Sequence, residues 1–244
     1  MKKIALLLLS ISTIILAFIS FKPAEKKTSE KILASMYKRY TGKWYKNFTF
    51  TQTTENFKND SLIKTTIWHE TIVFPDYFRI SFGEPSEGNA VIYKKDSSYN
   101  FRKGKLIQKG LRNEDIPFLL GGMYFIPFDS VLSKMKVEGY DLTKAHESNW
   151  EGKKVYVIGS TTDDEKASQL WIDAKKLIVV RFVKYLPTMK QDARMSGHQQ
   201  FGKAWSETNV VFYLNDKLYQ KEKYYDCKVN TDVDMQIFDP YNFK

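Results

Sequence analysis

Apolar positions along the chain follow two different periods, which separate helical from extended stretches. Residues 28–42 (TSEKILASMYKRYTG) begin with Thr28 and Ser29, which are typical helix caps, and end at Gly42, a typical stop. Within them, apolar residues recur at the three- and four-residue spacing of one helix face, namely Ile32, Leu33, Met36, Tyr37 and Tyr40. This pattern predicts an amphipathic helix at the start of the folded region.

From residue 47 onward, short apolar stretches alternate with turn sequences such as KND, PD and KD. Strands are predicted over residues 47–57, 62–74, 77–82, 90–95, 98–102, 141–150, 154–160, 207–214 and 218–229, in a hairpin over 169–185, and in the C-terminal MQIFDPYNF. Strands joined by such short turns pair with their neighbours in sequence. The pattern therefore predicts a large antiparallel sheet.

Two segments interrupt the strand pattern. In residues 113–140, Pro117 follows acidic residues, as at a helix start, and the next residues are apolar nearly all round, so this insert is expected to be buried or to face a ligand. A second helix is predicted over 129–136. Residues 187–204 show no clear period and are predicted to form a long loop of functional or mobile character. Together these elements predict one domain over residues 28–244.

The hairpin at 169–185 (QLWIDAKKLIVVRFVKY) is apolar on both faces, unlike a strand pair with one side in water. Because Arg181 needs water, we expect Ile178, Val180 and Phe182, which share the opposite parity, to face the interior. Two interpretations remain open. Either helices cover the sheet and use all its apolar residues as core, or the sheet is a curved wall that holds a lipid-like ligand.

The first 21 residues have the layout of an export signal, since Lys2 and Lys3 precede an apolar run over 4–21. The run also reaches the lower length limit for a membrane-spanning helix, so an uncleaved anchor is the alternative. In both cases the body of the protein is expected to be exported. Cys227 is the only cysteine, so neither an internal disulfide nor the lipid-modified cysteine of a bacterial lipoprotein is expected.

Charge and motifs point away from nucleic acid and catalysis. The net charge of +10 comes from lysines scattered along the strands, which is typical of solvated faces and does not indicate a nucleic-acid site. The residues His69, His146 and His198 lie in different predicted elements, without the close spacing of a metal site. No nucleophile motif or phosphate loop is present. We therefore expect no enzyme activity, no metal and no cofactor.

The order of elements resembles the LolA family of periplasmic outer-membrane lipoprotein-sorting proteins. The matching stretches are NFTFTQ at 47–52, FPDYFRI at 74–80, IPFLLGG at 116–122, LWIDAKKLIVVRFV at 170–183 and IFDP at 237–240. The resemblance implies a mainly β (α+β) fold: an incomplete antiparallel β-barrel, or half-barrel, with an N-terminal helix and a helical lid. It covers most of residues 28–243.

The resemblance also implies a function. It indicates a periplasmic carrier that shields acyl chains of lipoproteins, or a similar lipid, on the way to the outer membrane, without catalysis. An inner-membrane donor, an outer-membrane acceptor and a monomeric state are implied as well. The alternative is an envelope interaction or lipid-sensing module of the same fold. The implied ligand-binding residues are Phe48, Phe50, Phe78, Ile80 and Phe82 on the sheet, Phe118, Leu119 and Met123 in the lid, and Ile178, Val180 and Phe182 in the hairpin.

The sequence departs from this family at one notable position. The family's carrier has an arginine tied to lid opening directly before the proline of the FPDYFRI turn, whereas here Phe74 stands there. The 187–204 segment is a second departure. Both leave room for a relative with a different hydrophobic cargo.

Overall fold

The computed structural model describes residues 27–112 and 115–243, and the predicted export signal at 1–21 lies outside them. Helix α1 spans Ser29–Tyr40, and the Thr28 side chain caps it by accepting a hydrogen bond from the Lys31 backbone N at 3.3 Å. Two more helices follow later, α2 at Ile116–Leu119 and α3 at Phe128–Val137. Within the described ranges, no helix has the length and apolar character needed to cross a membrane.

The described residues form fifteen strands. They are β1 Asn47–Lys58, β2 Ser61–Val73, β3 Tyr77–Phe82, β4 Ala90–Lys94, β5 Ser97–Arg102, β6 Lys105–Leu111, β7 Ala145–Trp150, β8 Lys153–Ile158, β9 Gln169–Asp173, β10 Val179–Leu186, β11 Met189–Ser196, β12 Gln199–Phe201, β13 Ala204–Ser206, β14 Asn209–Leu214 and β15 Lys217–Val229.

Thirteen of these strands make one antiparallel sheet, in the order β6-β5-β4-β3-β2-β1-β15-β14-β11-β10-β9-β8-β7, while β12 and β13 pair separately. The first and last strands of that order, β6 and β7, do not pair with each other, so the sheet is open. The predicted incomplete antiparallel barrel with an N-terminal helix and a helical insert is therefore confirmed.

The structure corrects the interpretation of residues 187–204 as a loop. Eight of its residues form strand β11, which pairs with both β10 and β14, and three more form β12. One face of β11 buries Ala193 and Met195, but the other buries the charged Asp192, which is paired with Arg181 and Arg194. A charge buried by ion pairing makes the strand look polar on both sides, which hides its period.

Two other elements differ from the prediction at the opposite end of the sheet. Strand β6 was not predicted, because all seven of its residues are exposed and no buried face produces an alternation. The C-terminal segment, predicted as a strand, contains instead a short 3-10 helix at Met235–Phe238, capped by Asp234. Phe238 is fully buried against Ile92 and the aromatic residues of β5.

We call the side of the sheet against which the helices pack the inner face. Its β8–β11 half forms a dense core, where Ile158, Leu170 and Phe182 are fully buried in one cluster with Met36 of α1 and Met135 of α3. Close packing of this kind leaves little free volume.

A β-bulge in β10 changes which hairpin residues face inward. Ile172 lies opposite Val179 and Trp171 lies opposite Arg181, so Val180 is an extra residue between them. Phe182 therefore faces the inner core, whereas Val180 lies beside Trp150 and Val155 on the outer face. The expectation that Val180 and Phe182 share one face is wrong, because the inserted residue shifts the parity.

The outer face of the hairpin has its own aromatic cluster. The Arg181 guanidinium lies 4.7 Å from the ring centroids of both Trp150 and Trp171, and its Nε and one terminal nitrogen donate to the Asp192 carboxylate at 2.7 and 2.9 Å. Cation–π contact and a bidentate ion pair satisfy the arginine, whose side chain is only 14% exposed. This cluster explains why the hairpin is apolar on both sides.

Candidate ligand-binding site

A cavity lies on the inner face in the half of the sheet that α1 and α3 do not fill. We call it the main cavity; its volume is about 210 Å³. Strands β2, β3, β11, β14 and β15 form its walls, and α2 closes it from above. Its apolar walls are Trp68, Phe78, Ile80, Ile116, Leu120, Met195, Val210, Phe212, Leu214, Tyr219 and Tyr224.

A smaller cavity of about 40 Å³ adjoins the main cavity. The two share five lining residues: Glu70, Phe78, Ile116, Leu120 and Tyr224. Phe48, Phe50, Pro117 and Glu207 complete part of its wall. Because the shared residues stand between them, movement of α2 would join the two spaces into one.

Residues 116–125, which we call the cover, comprise α2 and the 3-10 turn Gly122–Phe125. Their second half is firmly attached: Phe125 stacks on Phe74 with ring centroids 5.4 Å apart, and Tyr124 lies 4.8 Å from Trp44. At Gly121 the backbone passes so close to Trp44 Nε1 that a Cβ would collide with it. The sequence has glycine there because no side chain fits.

The first half of the cover is held by the buried side chains of Phe118 and Leu119 and also by one lysine. Lys184 Nζ donates to Asp115 Oδ2 at 2.5 Å and to Glu138 Oε2 at 2.6 Å. Asp115 directly precedes α2, and Glu138 directly follows α3. This three-residue group, which we call the latch, ties the entrance of the cover to strand β10.

Three buried glutamates interrupt the apolar walls of the two cavities: Glu70, Glu207 and Glu222. The Tyr224 hydroxyl donates to Glu222 Oε2 at 2.8 Å, and Gln220 Nε2 donates to Glu222 Oε1 at 2.5 Å. Burial raises the pKa of Glu207 to about 7, and the nearby Glu222 carboxyl adds to that rise. Burial also raises the pKa of Glu222. Carboxyl groups in such surroundings resist ionisation unless a cation accompanies them.

Solved structures share this architecture. An outer-membrane lipoprotein-sorting protein domain from Vibrio parahaemolyticus superposes with a TM-score of 0.61, over 87% of this chain and 96% of that one, at 10% identity. A LolA superfamily protein from Nitrosomonas europaea gives 0.57, over 87% and 97%, at 13% identity. The fold is LolA-like.

A DUF1329 family protein from Desulfovibrio piger also matches, with a TM-score of 0.58 over 86% of this chain and 95% of that one, at 14% identity. By sequence, no protein-family model and no curated protein matches the chain. The LolA-like fold is thus shared at sequence identities where only the architecture is retained.

Within this LolA-like fold, the predicted sheet residues lie at or beside the cavities. Phe78 and Ile80 line the main cavity, and Phe48 and Phe50 line the smaller one. Phe82 lies beside the cavity wall on the same face, where its ring meets that of Trp68 edge to face, with the ring centroids 4.9 Å apart. The structure brings these five residues together, and their contact with a ligand stays a prediction.

The predicted lid residues are placed differently. Phe118, Leu119 and Met123 are buried in the core and line neither cavity. The cover presents Ile116 and Leu120 to both cavities instead. These two residues are one helical turn apart, but the segment is apolar on every side, so the sequence carries no signal for which pair faces the cavity.

The predicted hairpin residues do not join the main cavity of the LolA-like fold. Phe182 lies in the packed core, while Ile178 and Val180 line a separate outer-face cavity of about 300 Å³ together with Trp150 and His198. The bulge at Val180 separates these residues, because the extra residue changes which side chains of β10 face inward after it.

The histidines have separate local partners. His146 Nε2 lies 2.6 Å from Asp163 Oδ1, His69 Nδ1 lies 3.3 Å from the Thr51 hydroxyl, and His198 contacts the Val179 carbonyl. Across the described ranges, no group of three or more His, Cys, Asp or Glu side chains is arranged to hold a metal ion.

Proposed function

We propose that this protein is an exported, periplasmic carrier that shelters acyl chains of lipoproteins, or of a similar lipid, during transfer to the outer membrane. The observation that carries the proposal is the main cavity, with apolar walls on the sheet and Ile116 and Leu120 of the cover above them. The LolA-like fold supports it. Such a carrier receives its cargo from an inner-membrane donor, delivers it to an outer-membrane acceptor and makes no covalent change to it.

The energetics of burial suit this function. Each acyl methylene removed from water contributes about 0.8 kcal/mol, without any directional contact. The main cavity of about 210 Å³ is smaller than the roughly 300–1,000 Å³ of sites for drug-sized ligands. A long chain therefore enters fully only when the cover moves, and we propose that this movement begins at its first half, where the ion pairs of the latch can open.

Binding of a fluorescent acyl probe with a neutral head group to the purified protein tests the proposal. Ile80→Glu and Leu120→Glu each place a charge in the cavity wall, and both residues are only half-buried, so the fold tolerates the change better than at the buried Leu119. We expect each to weaken probe binding by about tenfold or more, the equivalent of about 1.4 kcal/mol.

Ile107→Glu is the matched control, because Ile107 is an isoleucine on the exposed edge strand β6, far from the cavity lining. It should bind the probe like the wild type. Unchanged binding in folded Ile80→Glu and Leu120→Glu, or no binding by the wild type, would contradict the proposal. Mass spectrometry of lipid extracted from gently purified protein then identifies the cargo.

A further inference from the structure

The walls of the main and smaller cavities have an unexpected charge. The chain has a net charge of +10, yet the described residues that line these two cavities include three glutamates and no lysine or arginine. An apolar cavity that serves acyl chains alone has no need of buried carboxyl groups, whose desolvation is costly.

Glu207 is the clearest case of a buried carboxyl group with no positively charged partner among the described residues. Its side chain lines the smaller cavity, it is only 6% exposed, and it forms no ion pair with any residue that the structure describes. Glu222 accepts hydrogen bonds from Tyr224 and Gln220, neither of which carries a positive charge. The two carboxyl groups lie close enough to raise each other's energy when ionised.

The Glu222 carboxyl has a further polar neighbour in Gln52, on the inner face of β1. Gln52 is fully buried, and its Nε2 donates to the Thr54 hydroxyl at 2.8 Å. Its Oε1 has no hydrogen-bond partner among the described residues, and the amide lies beside the Glu222 carboxyl. Gln52 itself lines neither cavity, so it contributes to the polar surroundings of Glu222 and does not contact the cavity space.

We propose that the preferred ligand is an amphiphile whose head group carries a protonated amine, with the ammonium beside Glu207 and Glu222 and the apolar chain under the cover. This inference rests on the proposed function, since it names the ligand class of the same site. An ammonium supplies three N–H donors and the missing positive charge. A carboxylate head group meets like charges in this position and is disfavoured.

Three probes with the same chain and different heads test the inference: dodecylamine, dodecanol and dodecanoic acid, each displacing a neutral fluorescent probe from the purified protein. We expect dodecylamine to bind at least about tenfold more tightly than dodecanol, since hydrogen bonds to charged groups contribute more than neutral ones. Dodecanoic acid should bind most weakly.

Glu207→Gln and Glu222→Gln keep the shape of the site and remove the charge. Each should reduce dodecylamine affinity towards that of dodecanol and leave dodecanol affinity unchanged. Glu84→Gln, on an exposed turn, is the matched control and should keep the wild-type preference.

The outcomes separate the two proposals. If dodecanol and dodecylamine bind equally well to the wild type, or if the glutamine variants keep the amine preference, the amine inference fails while the carrier function stands. If none of the three probes displaces the fluorescent one, the carrier function fails as well. Circular dichroism of each variant shows whether it is folded.

Discussion

The two halves of the inner face use the same kinds of residue for different purposes. In the β8–β11 half, α1 and α3 cover the sheet so closely that Leu170 and Phe182 have no exposed surface. In the half formed by β1–β3, β14 and β15, Phe78 and Ile80 face a cavity instead. Apolar side chains fill the core in the first half and border free space in the second.

The length of the covering helix accounts for this difference. Helices α1 and α3 have twelve and ten residues, enough for a continuous apolar stripe, whereas α2 has four. A single turn places only Ile116 and Leu120 over the sheet, so the space beside them stays unfilled. The cavity therefore follows from a short cover and does not require unusual strands.

The largest expected effect that tests this comparison of the two halves is a change in the free energy of unfolding. Phe182→Ala opens a hole in close-packed core, and we expect it to lower the free energy of unfolding by about 3–5 kcal/mol. Ile80→Ala removes a side chain that already borders free space, so we expect about half that cost or less. Urea denaturation of both variants measures the difference. Equal costs would show that the two halves are packed alike.

Much of the fold could be predicted from the sequence because most elements have one buried face. Helix α1 and strands β1–β5 have clear periods, and the predicted positions of Phe78 and Ile80 on a common inner wall follow from alternation. Strand β11 was missed because buried ion pairs at Asp192 made its second face look exposed.

Details of the site were harder to predict, for physical reasons. A bulge adds a residue without a sequence signature, so the sequence could not show that Val180 faces outward. The cover is apolar all round, which conceals the pair Ile116 and Leu120. Glu207 and Glu222 look like ordinary surface carboxylates, since only the tertiary fold places Glu222 against the main cavity and Glu207 against the adjoining smaller one.

The second-largest expected effect is a pH dependence of the free energy of unfolding, caused by Glu207 in the half of the inner face that holds the cavity. Burial raises the pKa of Glu207 from 4.5 to about 7, so the folded state binds a proton that the unfolded state has released. At about 1.4 kcal/mol per pH unit, the protein should lose up to about 3 kcal/mol of stability as the pH rises from 4.5 through 7. The groups that face Glu207 are Tyr45, Glu222, Tyr224 and Cys227.

Thermal or urea denaturation across this pH range measures the effect. In Glu207→Gln, most of the fall in stability with rising pH should be absent. Burial lowers the pKa of His198, which acts in the opposite direction near the top of the range. Since His198 is present in both proteins, its contribution cancels in their difference. A difference that does not vary with pH would mean that Glu207 is ionised in the folded protein or accessible to water.

The smallest effect concerns the latch at the boundary between the two halves. Lys184→Met removes the cation that holds Asp115 and Glu138 together and leaves the attachment of Phe125 and Tyr124 intact. Because Asp115 and Glu138 lose their cation but are 14% and 22% exposed and can turn to water, we expect the closed cover to lose about 1–2 kcal/mol, which raises the population of the open form by about fivefold or more. Stopped-flow mixing with the fluorescent probe should then show faster association at nearly unchanged fold stability.

Lys190→Met is the control. It breaks a pair with Asp216 on an exposed turn and should leave the association rate unchanged. Equal rates in all three proteins would place the entrance somewhere other than the first half of the cover.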